Sequence, residues 1–130
     1  MRYLTPRKAA VGLGAAHTGT AHHWWMTVSS VVLALLTPSF LMVMGTALGL
    51  PERADILAYF SRPYPAIVTG VFMILGMMHF IKGSRIMIDD YLDHTARKLA
   101  IILFTAFGWA VIATTIFALA RIQLAFVQTI

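Results

Sequence analysis

Three stretches of this 130-residue chain contain no Asp, Glu, Lys or Arg: residues 9–51, 63–81 and 99–120, of 43, 19 and 22 residues. A helix needs about 20 predominantly apolar residues to cross the hydrocarbon core of a bilayer. Inside that core every backbone amide and carbonyl must be paired within the segment itself, so single uncharged runs of this length have to be helical. Charged residues make up 12% of the chain and hydrophobic residues 59%, whereas a soluble domain is about 25% charged. The expected fold class is therefore an all-α membrane protein with three transmembrane helices. The spans are placed at about 25–50, 66–88 and 99–120, in one domain covering residues 1–130.

The formal net charge of +5 does not indicate a nucleic-acid surface. The ten basic residues are spread over the regions flanking the three spans and form no stripe. The basic, acid-free leader with Arg2, Arg7 and Lys8 has the composition of a transit peptide, but it is expected to be retained, in a bacterial inner-membrane protein. There is no cysteine, so disulfides, thiolate metal sites, iron–sulfur ligation by this chain and a Cys nucleophile are excluded. Basic residues accumulate on the cytoplasmic side of membrane helices. Arg2, Arg7, Lys8, Lys82, Arg85, Arg97 and Lys98 share one side and Arg53, Arg62 and Arg121 the other, which places the N-terminus and the second loop in the cytoplasm.

Trp24 and Trp25 stand where an interfacial aromatic belt would anchor the first span. Pro38, between Thr37 and Ser39, removes a backbone donor mid-span and is expected to kink the helix, with the neighbouring hydroxyls serving freed carbonyls. Residues 51–65, with three prolines and four charges, form the first loop, with 55–60 lying along the surface. Residues 89–98 form the second, with Asp93 or Thr95 capping the third span. Gly70, Gly76 and Gly83 mark a close helix or flat-ligand contact. Three helices cannot bury their own side chains, so a partner subunit is expected from physics alone.

His79 is the ionisable residue that lies well inside a span, about 14 Å from Ile88 at 1.5 Å per residue. An intramembrane ionisable group marks a functional site by default. At 100° per residue Gly76 lies about 60° from it, Gly83 about 40° and Asp90 about 20°. A glycine one turn to either side of an imidazole leaves room for a flat ring system. The chemistry leaves three roles open: a hydrogen-bonded packing residue, a proton relay, or an axial haem ligand. A six-coordinate haem would need its second ligand from another subunit.

Asp89, Asp90 and Tyr91 follow the apolar run directly. A tyrosine hydroxyl beside carboxylates at the membrane surface can donate to a quinone carbonyl, but on the motif alone an interfacial tyrosine with helix-terminal charges is the simpler reading. Tyr91 is twelve residues from His79, about 18 Å along an unbroken helix. Two acids near a helix C-terminus oppose the macrodipole, which argues for a purpose. His17, His22, His23 and His94 have no supporting acid or thiol cluster and are read as solvated rather than metal-bound. Met77 and Met78 are read as lipid- or core-facing. Lys82 and Arg85 can reach haem propionates or snorkel to headgroups, and snorkelling is the simpler role.

His79, then Asp90 and Tyr91 eleven and twelve positions on, a basic pair and a third span together resemble the small hydrophobic membrane anchor subunit of succinate dehydrogenase. The segment GTAHHWW at 19–25 is similar to the opening of its alphaproteobacterial members, and the resemblance covers essentially the whole chain. It implies a non-catalytic anchor subunit that packs with a cytochrome b subunit, shares one haem b with it, and docks iron–sulfur and flavoprotein subunits at the cytoplasmic face. By the same resemblance His79 is the axial haem iron ligand, Tyr91 hydrogen-bonds ubiquinone and Asp90 supports it. The chain departs from the family where a Gln-Arg pair often follows the tryptophans and this sequence reads Thr27-Val28-Ser29. The arginine near a haem propionate is missing, with His22, His23 or a partner's arginine as substitutes.

Three other readings differ in their consequences. A fumarate reductase anchor would work in the opposite direction. A small proton-coupled transporter would use His79 as its relay but generally needs a carboxylate inside the membrane, and none of the uncharged runs has one. A structural assembly subunit would lose nothing in cofactor content on His79→Ala.

Overall fold

The computed structural model describes residues 5–7 and 18–127, so Arg2, Lys8 and His17 lie outside the described residues. Within residues 18–127 four helices follow one another: α1 (Thr18–Leu48), α2 (Arg53–Phe60), α3 (Pro63–Tyr91) and α4 (His94–Val127). Three of them, α1, α3 and α4, are long and apolar enough to cross a membrane.

The breaks follow local chemistry. Gly49 closes α1 with its N–H shared between the carbonyls of Gly45 (3.3 Å) and Thr46 (3.2 Å), and Pro51 prevents continuation. Pro63 opens α3 at its first position, after Arg62 in an extended conformation, where a missing amide costs nothing. Within α1 the helix runs on through Pro38. The Thr37 hydroxyl donates to the Leu33 carbonyl at 2.7 Å, one residue before the Ala34 carbonyl that Pro38 cannot serve. The surface segment of the first loop is the eight-residue α2, held to the far end of α4 by Gln123 Nε2 donating to the Phe60 carbonyl at 3.0 Å.

The second loop is much shorter than its charge content indicates. Only Leu92 and Asp93 interrupt the helices; the rest of 89–98 is helical. Residues 84–107 contain no glycine or proline, so nothing in the backbone obliges the helices to stop at the membrane surface. Neither Asp93 nor Thr95 caps α4 through its side chain. The Asp93 carbonyl accepts from the Arg97 N–H at 3.2 Å, and His94 takes φ 47° to reverse the chain. A positive φ is uncommon outside glycine, though histidine tolerates it better than most residues.

Helix α3 is central, and α1 and α4 pack chiefly against it rather than on each other. Toward α1, Phe72 stacks on Phe40 with centroids 4.0 Å apart. A Cβ added to Gly76 would meet Leu33 at 3.8 Å, and one on Gly83 would meet Met26 at 3.3 Å. Toward α4, Phe80 stacks on Phe104 (5.6 Å) and meets Phe107 edge-on (6.1 Å). The tightest approach is at Gly108, where a Cβ would fall 2.5 and 2.6 Å from Ile81 Cγ1 and Cδ1. Gly70 also faces α4, through Leu119. Gly70, Gly76 and Gly83 thus serve helix contacts, two with α1 and one with α4. Only 11% of each spanning window is buried within the chain, so most of this single helical layer is left to lipid or to other protein.

Candidate functional site

His79 is held by α1. Its Nδ1 lies 2.8 Å from the Ser29 Oγ, and Ser29 is 2% exposed. Ser29 Oγ also lies 2.7 Å from the Trp25 carbonyl and 3.2 Å from the Met26 carbonyl, the back-bonding geometry open to a serine inside a helix. The hydroxyl has one proton. The arrangement that uses both short contacts donates it to the Trp25 carbonyl, while the oxygen accepts from Nδ1–H of His79. That tautomer leaves the lone pair on Nε2. The buried side-chain polar atoms without a partner among the described residues are Trp25 Nε1 and Thr69 Oγ1. Nε2 of His79 is not one of them, so it opens to the outside of the chain.

The surface beside it is a groove of about 310 Å³ lined by His79, Phe80, Gly83, Ser84, Met87 and Phe104. On the α3 wheel Phe80, Ser84 and Met87 fall between about 80° and 140° to one side of His79. Because α3 is unbroken to Tyr91, Tyr91 falls about 120° round on that same side, roughly 18 Å further along. Tyr91 is 83% exposed, so its hydroxyl meets whatever covers this face. The two acids beside it differ. Asp89 sits between Arg85 and Arg97, at 3.9 Å from each, joining α3 to α4. Asp90 makes no ion pair among the described residues and lies on the His79 side of the helix.

Lys82 and Arg85 lie about 60° and 120° to the other side of His79. They line a separate groove with His22, which takes all three away from the groove that His79 opens onto. Lys82 Nζ sits 4.2 Å above the Trp25 ring. Trp25 is therefore packed against α3, and it is Trp24, 68% exposed, that retains the belt position. Val28 is exposed on α1. No cluster of three or more His, Cys, Asp or Glu able to hold a bare metal ion occurs among the described residues. A haem site needs one imidazole from this chain, a free nitrogen and a flat, largely apolar wall, and His79 with its groove fits that requirement.

Ser29 escaped the sequence reading as a site residue. Its only signal was a small hydroxyl in an apolar run, fifty residues from its partner.

A layer of three long apolar helices, most of its surface uncovered and with one imidazole fixed inside it, fits a multi-pass membrane protein. The family model for the succinate dehydrogenase/fumarate reductase transmembrane subunit matches residues 1–120, and the chain belongs to that family. It is 60% identical over 124 residues to the succinate dehydrogenase hydrophobic membrane anchor subunit of Paracoccus denitrificans, covering 95% of both chains. It is 29% identical over 90 residues to the subunit of the same name from Rickettsia typhi, covering 67% of this chain and 70% of the relative. No solved structure matches the chain at a meaningful level of similarity.

Proposed function

We propose that this chain is the membrane anchor of a succinate:quinone oxidoreductase of a bacterial inner membrane, with its N-terminus in the cytoplasm. It packs against a cytochrome b subunit and docks the iron–sulfur and flavoprotein subunits on the cytoplasmic side. The observation that carries the reading is the Ser29–His79 contact, which fixes the imidazole and frees Nε2 beside a groove on the same side as Tyr91. His79 would hold haem b through Nε2, with a further ligand needed from another subunit, and the group so held would supply a one-electron carrier.

The chain's own residues position and exclude. Ser29 orients the imidazole by accepting from Nδ1–H, as outer-shell partners of ligating histidines do. Phe80, Phe104 and Met87 keep water from the groove. Tyr91 donates its hydroxyl proton in a hydrogen bond to a ubiquinone carbonyl, and Asp90, free of ion pairs among the described residues, supports the site as a neighbouring carboxylate. Asp89 pairs loosely with Arg85 and Arg97, at the α3–α4 corner. Succinate oxidation takes place in the partners, in keeping with a chain that has no cysteine.

The test is optical. The assembled complex, purified in mild detergent, is expected to give a b-type reduced-minus-oxidised spectrum on adding succinate, and His79→Ala is expected to abolish it. An unchanged haem signal in His79→Ala would remove the ligand assignment. A complex whose haem answers to dithionite alone would break the link to succinate.

A further inference from the structure

The side of α3 turned away from the His79 groove carries a second groove, of about 540 Å³, whose walls include His22 of α1, Ile81, Lys82 and Arg85 of α3, and Ile101 and Thr105 of α4. We infer that it binds an anionic phospholipid, with the phosphodiester between Lys82, Arg85 and His22 and an acyl chain descending along Ile81 and Ile101.

Depth supports this first. Lys82 is the first charged residue after the uncharged run 63–81, on the half of α3 nearer Tyr91, so its stem lies along apolar surface while its ammonium reaches toward the headgroups. Charge supports it next. Three basic side chains line the groove and no carboxylate does. The acid within reach is Asp89, whose contact with Arg85 is 3.9 Å long, with 68% of the Arg85 side chain exposed. A pair so open to solvent holds a guanidinium weakly, and Asp89 is shared with Arg97. Order supports it as well: the Lys82 ammonium rests over the Trp25 ring, so it is held at the groove wall rather than swinging free. The floor is apolar, with Ile81 pressed against Gly108, which suits an acyl chain and not a hydrated acidic peptide. Basic residues near the membrane surface attract anionic lipid.

The site is independent of haem and quinone, so its test is read separately from theirs. The assembled complex would be partly delipidated, offered phosphatidylglycerol or phosphatidylcholine of the same acyl chains, and weighed by native mass spectrometry. Preferential retention of phosphatidylglycerol is expected, reduced about tenfold or more in Lys82→Gln/Arg85→Gln and unchanged in Arg121→Gln at the opposite membrane face. A photoactivatable phosphatidylglycerol is expected to label peptides carrying Ile81 and Ile101. Haem absorbance and subunit stoichiometry of the same samples report assembly. Should the double variant fail to assemble, Lys82→Arg/Arg85→Lys keeps both charges and is expected to keep the lipid, and the wild-type preference and labelling decide the matter. Equal retention of the two lipids, full retention in the double variant, or a partner segment labelled in place of these peptides would each overturn the proposal.

Discussion

The two interfaces of α3 are built on different principles. Its contact with α4 is steric and apolar: stacked phenylalanines, and at Gly108 an approach so close that Ile81 occupies the space a side chain would need. Its contact with α1 contains a polar latch, Ser29 to His79, in which the hydroxyl is buried and one imidazole nitrogen is left over. In lipid, helices gain little by hiding apolar surface from one another, so close packing and interhelical hydrogen bonds must do the joining. The α3–α4 seam uses the first means and fixes the scaffold. The α1–α3 seam has close packing too, in the Phe40–Phe72 stack, but adds the second means and thereby sets the direction of a reactive nitrogen.

Substitutions on either seam separate these roles. His79→Ala has the largest expected effect: loss of essentially all b-type absorbance in the purified complex, with α3 still packed on α4, checked by difference spectroscopy and subunit stoichiometry. Tyr91→Phe is expected to slow quinone reduction by about 10- to 100-fold, as for a lost hydrogen bond of roughly 1.5–3 kcal/mol, while haem content stays normal. Steady-state assays with ubiquinone against an artificial electron acceptor would show it. Ser29→Ala should weaken haem retention by about tenfold, the effect of losing an outer-shell partner. It should also raise the haem midpoint potential, because an imidazole without its Nδ1–H acceptor donates less electron density to the iron; redox titration reads both the sign and the residual haem.

On the other seam, Gly108→Ala should destabilise by about 1–3 kcal/mol, the usual range for overpacking, as Ile81 is forced aside. A lower midpoint of thermal unfolding in detergent, with an unshifted haem potential, would set it apart from Ser29→Ala. The smallest effect belongs to Asp89→Asn, whose exposed pairs with Arg85 and Arg97 are worth no more than about 1 kcal/mol. Quinone reduction should be unchanged there, whereas Asp90→Asn should reduce it; equal effects at the two acids would cancel the distinction drawn between them.

The three spans were legible because lipid tolerates so few charges that their absence alone marks the helices. Helix ends were not. Nothing in DDYLDHTARK stops a helix, and only two of its residues leave helical structure. His79 stood out as an imidazole in an apolar run, but its latch did not, because pairing Ser29 with it requires the register of two antiparallel helices, which no local pattern encodes. The same holds for Gly108. The glycines that drew notice, at 70, 76 and 83, all lie on α3, whereas the tightest contact is made by Gly108 of α4 against the Ile81 side chain. Asp89 and Asp90 look alike in sequence and part only when 100° of helix rotation turns one toward Arg97 and the other toward the His79 side.

The two-residue connection at Leu92 and Asp93, with His94 turned to φ 47°, bears on how the chain enters the bilayer during synthesis. So short a link ties α3 and α4 into a single hairpin that can enter lipid as one unit. The fourteen residues from Gly49 to Arg62, by contrast, leave α1 room to enter separately from that hairpin.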